Sequence, residues 1–258
     1  MTSYESLSFT VEDYQAVIGL RRPDVLNAIN PKMCRELTHA IGRTNSDNDV
    51  RVVVLHGHGR FFCAGGDLKS DEGHSTENAL DEIYKPALLS VFNSEKPVIA
   101  AVHGGAVGVG SALMLSCDLV VMADSAYVLA PFVSRGLIPD GGASWHLLRY
   151  LGRQRAFETI VDDRKVPADE CASAGMVNRI VPEERLMAEA RDWAAQIAAR
   201  APLAIAAAKK ALRHALENDL SSTMSFEAEL QKTLALSDDA KEGIAAFLEK
   251  RAANFKGK

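Results

Sequence analysis

Three short runs constrain this chain more than any other feature: residues 50–56, with Val52-Val53-Val54-Leu55 at their centre, Val98-Ile99-Ala100-Ala101-Val102, and Leu119-Val120-Val121-Met122. Each is of strand length, rich in β-branched residues, and without the apolar–polar alternation of a strand with one wet face. Strands of this kind are buried on both faces, in parallel sheets covered by helices. Helical patterns fill the gaps, at residues 76–93, 108–116, 142–150, 153–161 and 168–174. A hairpin precedes them, with strands at 7–11 and 16–20 around Glu12-Asp13-Tyr14. After a loop at 22–28, Asn30-Pro31 reads as an N-cap with proline at the first helical position, opening a helix to about residue 45.

The pattern changes near residue 181. Sixteen of the 18 glycines lie before it, and the last 78 residues hold 20 alanines. This predicts an α/β body over 1–180 and a helical region over 181–258, with three or four helices and no flexible linker between the two parts. The chain has 258 residues and a formal charge of −5, with no block of like charge, which argues against a nucleic-acid or polybasic membrane surface. Cys34, Cys63, Cys117 and Cys171 are widely spaced and form no C-x-x-C, so neither a zinc ribbon nor a redox dithiol is expected. The opening Met1-Thr2-Ser3-Tyr4-Glu5 lacks the pattern of a secretory signal, and the apolar stretches are too short or too broken to span a bilayer. A cytoplasmic protein with reduced thiols is the simplest reading.

Two glycine clusters follow two of the strands: Ala64-Gly65-Gly66-Asp67-Leu68, and Gly104-Gly105-Ala106-Val107-Gly108-Val109-Gly110. Glycine lets backbone approach a ligand closely, and a loop entering a helix presents N–H groups with no internal partner. One such loop is a common anion site or merely a tight turn; two can aim N–H groups at one oxygen. A dinucleotide fingerprint fails because Leu113 stands where its third glycine belongs, and neither a P-loop nor a G-x-S-x-G elbow occurs. His56-Gly57-His58 could suggest a metal, but two histidines at a strand end are more often turn residues, so no metal is expected.

Several motifs together carry a resemblance: Arg22-Pro23-x-x-Leu26-Asn27-Ala28, Phe62-Cys63-Ala64-Gly65-Gly66-Asp67-Leu68, Lys96-Pro97-Val98-Ile99-Ala100-Ala101-Val102 with its glycine loop, Cys117-Asp118, Gly136-Leu137-Ile138-Pro139, and the ending Glu242-Gly243-x-x-Ala246-Phe247-Leu248-Glu249-Lys250-Arg251. They resemble the crotonase superfamily, the enoyl-CoA hydratase/isomerase family, over essentially the whole chain. The resemblance implies a spiral of ββα repeats with a helical C-terminal region that makes trimers or dimers of trimers. It implies an acyl-CoA thioester as substrate, with coenzyme A entering as part of that substrate and no separate cofactor.

By motif position, the thioester oxygen would be held by the N–H groups of Gly66 and Val109. Substrate contacts would fall to Arg22, Val25, Ala28, Ala64, Asp67, Leu68, Lys69, Phe132 and Trp145. Phe247 and Lys250 would reach coenzyme A from the C-terminal motif, often across a subunit boundary, although the same pair reads as one face of an amphipathic helix. Arg21, Arg22 and Lys69 are the cations expected to meet phosphates. His146 and Trp145 are candidates for the acyl pocket wall, His103 for packing alone, and residues 70–75 for a loop over the pocket.

The two glutamates with which family hydratases activate water are replaced here by Ala112 and Phe132. One carboxylate remains in the matching motifs: Asp140, in Ile138-Pro139-Asp140-Gly141-Gly142. Several family branches place an acid/base or nucleophilic carboxylate there, and the surrounding residues look most like those of isomerases. The competing reading makes Asp140 an N-cap for the helix that follows. The resemblance thus implies an enoyl-CoA isomerase acting through an enolate. The alternatives are another crotonase reaction (hydration, thioester hydrolysis or dehalogenation) and a silent acyl-CoA-binding member.

Overall fold

The computed structural model describes residues 4–69 and 76–258. The opening hairpin is β1 (Leu7–Glu12) and β2 (Gln15–Leu20), and its turn places both Asp13 and Tyr14 at positive φ. Helix α1 (Pro31–Ser46) begins as expected: the Asn30 side chain accepts from the Met33 amide, with Pro31 in the first turn. Then come β3 (Val52–Gly57), α2 (Thr76–Ala79) and α3 (Lys85–Phe92). Between α2 and α3, residues Leu80–Tyr84 form a π-helical turn, so the single helix expected over 76–93 is interrupted. After β4 (Val98–Val102), β5 (Gly105–Val107), α4 (Val109–Leu115), β6 (Leu119–Ala123) and β7 (Tyr127–Leu129) comes α5 (Ala143–Val161). Helix α5 is broken by Gly152 at φ 73°, ψ 168°, where the sequence predicts two helices. The remaining elements are β8 (Val166–Pro167), α6 (Ala168–Ser173), β9 (Arg179–Val181), α7 (Leu186–Ala198), α8 (Pro202–Ala215), α9 (Leu220–Ala235) and α10 (Asp238–Glu249).

The three diagnostic runs lie side by side. The main sheet has the order β1-β2-β3-β4-β6-β9, parallel throughout except for the β1–β2 hairpin. A second sheet, β5-β7-β8, was not legible in the sequence because its strands have only two or three residues. Cys63 extends this sheet by a single bridge to Ala106, so the loop after β3 behaves as a strand of the same layer. The chain thereby repeats one unit: a long strand in the first sheet, a short one in the second, then a helix.

Both faces of the main sheet are covered, as its composition requires. Val53, Leu55, Ala100 and Val102 face one core, with α1, α3 and α4. Val52, Val54, Ile99, Ala101 and Val121 face a second core, covered by Leu186, Ala190, Ala194 and Ala198 of α7. The helical region predicted from residue 181 therefore begins with a helix that packs as part of the sheet. Helices α8 to α10 differ: they leave Leu212, Leu220, Leu236, Phe247 and Leu248 largely exposed, Leu236 at 80% and Phe247 at 82%. No helix among the described residues is long and apolar enough to cross a membrane.

Candidate active site

The two glycine loops run against each other. The Cys63 amide donates to the Gly105 carbonyl (3.1 Å) and the Val107 amide to the Cys63 carbonyl (2.9 Å). A Cβ on Gly65, which lies at φ +105°, would stand 3.0 Å from the Val107 carbonyl oxygen, and a Cβ on Gly108 (φ +55°) would stand 3.7 Å from the Gly65 Cα. Both positions favour glycine, Gly65 because a Cβ would press on the Val107 carbonyl at a positive φ and Gly108 because its φ is positive. The residues directly after the crossing are Gly66 and Val109. Their flanking amides are occupied: Gly65 donates to Cys63 Sγ (3.5 Å), Asp67 to the Ile29 carbonyl and Gly108 to the Leu129 carbonyl. The Gly66 and Val109 amides donate to no acceptor among the described residues. Val109 is the first residue of α4, where no intrahelical partner exists and the dipole is positive. Two such N–H groups on touching loops can hold one developing oxyanion.

Asp140 stands above the same helix. A Cβ on its neighbour Gly141 would meet Val109 Cγ2 at 2.9 Å, Ala112 Cβ at 3.3 Å and Leu88 Cδ1 at 2.8 Å, so this loop rests on the first turn of α4. The Asp140 Oδ1 is buried and has no hydrogen-bond partner. Burial raises its pKa above the ordinary carboxylate value, partly opposed by its own backbone amide. The N-cap alternative does not hold: Gly142 occupies that position and no side chain caps α5. A buried carboxylate oxygen without a donor is costly to a fold and calls for a functional explanation.

The positions where water-activating glutamates would stand are apolar. Ala112 is fully buried in α4, and Phe132, 7% exposed, brings its ring edge toward Gly108. Cys63 is no nucleophile: it is fully buried, with its thiol pushed up to about 12 by burial. Behind Val109 lies a small apolar pocket of about 10 Å³ lined by Ile29, Met33, Tyr84, Leu88, Val109 and Leu113. It has room for roughly one water.

Tyr84 belongs to the site and was missed in the sequence. Its hydroxyl donates to the Ile29 carbonyl (2.9 Å), and a Cβ on Gly66 would stand 3.8 Å from that oxygen. Burial raises the phenol pKa, so it stays neutral. The interruption that places it, the π turn, leaves no mark in apolar periodicity.

Other expected contacts are distributed differently. Arg22 turns inward: its guanidinium donates to the Ala28 carbonyl (2.6 Å) and to Asp67 (2.8 Å), tying the 22–28 loop to the first glycine loop. It is thereby committed to protein groups rather than to a phosphate. Burial pushes the Asp67 pKa up, but Arg22 and the Lys69 amide outweigh it and the net shift is downward. Arg21 donates to the Tyr4 carbonyl (3.1 Å). Leu68 and Lys69 are exposed at the mouth of the loop, Val25 is exposed on a 3-10 turn, and Ala64 is half-buried. Trp145 packs edge-on to Phe92 (5.9 Å between ring centroids) beside His146, whose buried imidazole has its pKa lowered to about 4 and is neutral. His103 is a packing residue, bonded through Nε2 to the Gly59 carbonyl (2.7 Å). Phe247 and Lys250 lie exposed on and at the end of α10, which packs on α9. The loop expected over 70–75 lies outside the described residues.

Fold and site together place two unpartnered backbone amides, of Gly66 and Val109, and the Asp140 carboxylate around the first turn of α4. The enoyl-CoA hydratase/isomerase family model matches residues 12–258. A probable enoyl-CoA hydratase of Rhodobacter capsulatus is 40% identical over 99% of this chain and 100% of its own length. The 1,2-epoxyphenylacetyl-CoA isomerase of Escherichia coli is 34% identical over 96% of this chain and 97% of its own length. The crystal structure of an enoyl-CoA hydratase from Bacillus anthracis superimposes with a TM-score of 0.93 at 31% identity, covering 98% of this chain and 100% of that one. The chain belongs to the enoyl-CoA hydratase/isomerase family, within the crotonase superfamily. It is an acyl-CoA-processing enzyme of that family.

Proposed function

We propose that this enzyme is an enoyl-CoA isomerase, which moves a double bond along the acyl chain without adding water. The observation that carries this reading is the buried, unpartnered Asp140 Oδ1 above the first turn of α4, with Ala112 and Phe132 where a hydratase would hold its glutamates. Asp140 takes a proton from one acyl carbon. The electrons move into the thioester, whose oxygen gains negative charge and is held by the Gly66 and Val109 amides. Asp140 then returns the proton to another carbon. Each oxyanion donor stabilises such a charge by about 3–4 kcal/mol, and positioned acid/base catalysis contributes roughly 10²–10⁴-fold. Coenzyme A arrives with the substrate, and no resident cofactor enters this scheme.

Several relatives carry hydratase names, and hydration is the competing reaction. A panel of enoyl-CoA thioesters followed by mass spectrometry and chromatography separates the two. A new isomer of unchanged mass supports the proposal; a product heavier by one water with no isomer refutes it.

We also propose a trimer-based homo-oligomer. Its support is the exposure of the large apolar residues Leu212, Leu220, Leu236, Phe247 and Leu248 on and beside α8 to α10. Light scattering that finds a stable monomer at micromolar concentration refutes it.

A further inference from the structure

Tyr84 takes no part in the proton transfer above, yet an irregular piece of helix brings it to the first glycine loop. Pro86 stands in the first turn of α3 and has no amide to give to the Glu82 carbonyl, and in a regular helix its ring would press on that carbonyl. The chain widens instead. Over Leu80–Tyr84 the turn is π-helical, and the Lys85 amide donates to the Leu80 carbonyl, five residues back. Tyr84 is the last residue of that turn, half-buried, with its hydroxyl directed at the segment that precedes α1.

The carbonyl it meets there belongs to the frame of the oxyanion loop. Ile29 and Gly66 form a parallel bridge. The Ile29 amide donates to the Gly65 carbonyl (2.7 Å), and the Asp67 amide donates to the Ile29 carbonyl (2.8 Å). A bridge of this kind uses the residues before and after Gly66, so the Gly66 amide itself is turned away from Ile29 and left for a ligand. Where Ile29 stands therefore sets where the Gly66 amide points. Tyr84 donates to the same Ile29 carbonyl (2.9 Å), which has a second lone pair to offer. The residues on either side are also held: the Ala28 carbonyl accepts from Arg22 (2.6 Å), and the Asn30 side chain accepts from the Met33 amide (2.9 Å). The Tyr84 hydroxyl stands 3.8 Å from the place a Gly66 Cβ would take, and the side chain lines the small pocket behind Val109. One side chain thus borders the surroundings of both free amides. Only a neutral phenol can donate in this way. Burial keeps the proton on Tyr84, and the carboxylates of Asp140 and Asp67 act in the same direction.

We propose that Tyr84 is a positioning residue of the oxyanion site: its hydroxyl fixes the Ile29 carbonyl, and Ile29 in turn aims the Gly66 amide at the thioester oxygen. This rests on the reading of the Gly66 and Val109 amides as oxyanion donors. Tyr84 does not touch the reacting atoms in this scheme and acts through Ile29. Its loss should weaken the hold on the developing charge more than the hold on the substrate as a whole.

Tyr84→Phe is the test. It keeps the ring and leaves the Ile29 carbonyl with the Asp67 amide as donor, so it creates neither a void nor an orphaned acceptor. The turnover number kcat is expected to fall by about 10–100-fold, up to the cost of misplacing a group by about an ångström, with KM little changed. The direct readout is vibrational and does not depend on which reaction the enzyme performs. Butanoyl-CoA labelled with carbon-13 at its thioester carbonyl is bound to the full chain and followed by infrared difference spectroscopy. Hydrogen-bond donors draw electrons toward the oxygen, weaken the C=O bond and lower its stretching frequency. The unsubstituted chain should lower that frequency relative to free butanoyl-CoA, and Tyr84→Phe should lose part of the shift while still unfolding cooperatively. A shift left unchanged in Tyr84→Phe overturns the role of Tyr84, whatever happens to kcat. So does full kcat in Tyr84→Phe with damage only in Tyr84→Leu, the pattern of a packing residue. Val109→Pro separates the two levels of the argument. A shift that is lost in Val109→Pro but intact in Tyr84→Phe removes Tyr84 and leaves the oxyanion reading standing. No shift in the unsubstituted chain overturns the oxyanion reading and this proposal with it.

Discussion

Gly65 and Gly108 meet with no side chain between them, and a Cβ on Gly65 would stand 3.8 Å from the Gly108 Cα. The amides that follow them, of Gly66 and Val109, owe their proximity to this contact. Gly65→Ala adds a Cβ at φ +105°, 3.0 Å from the Val107 carbonyl oxygen. It should destabilise the protein by about 1–3 kcal/mol and lower turnover. Gly66→Ala meets nothing closer than the Tyr84 hydroxyl at 3.8 Å and should be the milder change. Thermal unfolding and turnover of the two variants check the contrast.

Val109 offers a cleaner deletion. It is the first residue of α4, where proline is well tolerated and no helical hydrogen bond is lost. Val109→Pro should therefore fold yet lose turnover by ~10²-fold or more, the scale of a missing oxyanion donor. Val109→Ala keeps the amide and should be far milder. Steady-state kinetics of both decide, and equal damage would assign Val109 to packing.

Asp140→Asn should bind acyl-CoA normally and lose isomerase turnover by ~10²–10⁴-fold. The same substitution has an opposite effect on stability. Because burial raises the folded-state pKa of Asp140, the folded protein binds the proton more tightly than the unfolded chain. Stability from this group is present at acid pH and lost as pH rises through the ordinary carboxylate range and the raised folded value. The Asn variant should be the more stable protein at neutral pH, with the gap closing under acid conditions. In the unsubstituted enzyme, kcat/KM should fall on the acid side with a midpoint above an ordinary aspartate. Denaturant unfolding at several pH values and a pH–rate profile test both statements.

Lys209 carries the link between α8 and the sheet. Its buried ammonium is paired with Asp118 and donates to the Lys96 carbonyl (2.9 Å), while Asp118 also accepts from the Val98 amide (2.7 Å). Lys209→Met takes the cation from a carboxylate that is 26% exposed and still held by the Val98 amide, and should cost about 1–3 kcal/mol. Adding Asp118→Asn should restore part of that loss. Urea unfolding of the single and double variants measures it.

Much of this was readable in the sequence where a local rule has one outcome. Runs of buried β-branched residues give parallel strands, Asn30-Pro31 starts a helix, and Gly152 breaks one. What escaped depends on contacts between distant segments. Strands β5, β7 and β8 are too short to carry a period and exist through their pairing. Tyr84 reaches the site through a π turn, and Arg22 is diverted from any phosphate by Asp67, 45 residues further on. Asp140 was visible as a carboxylate in a loop; the buried, unpartnered state of its Oδ1 and the failure of the capping alternative needed three dimensions.

The grip on the oxygen in this reading is main chain, whereas the groups that would choose among reactions are side chains at positions 112, 132 and 140. Holding power and reaction type are thus carried on separable parts of the molecule. A library that leaves residues 63–66 and 105–110 untouched and varies those three positions would explore new transformations on an unaltered anchor. Placing Glu at 112 and 132 and removing the carboxylate at 140 is the variant with which to begin, because it asks whether three substitutions redirect this scaffold from shuttling a proton to admitting water.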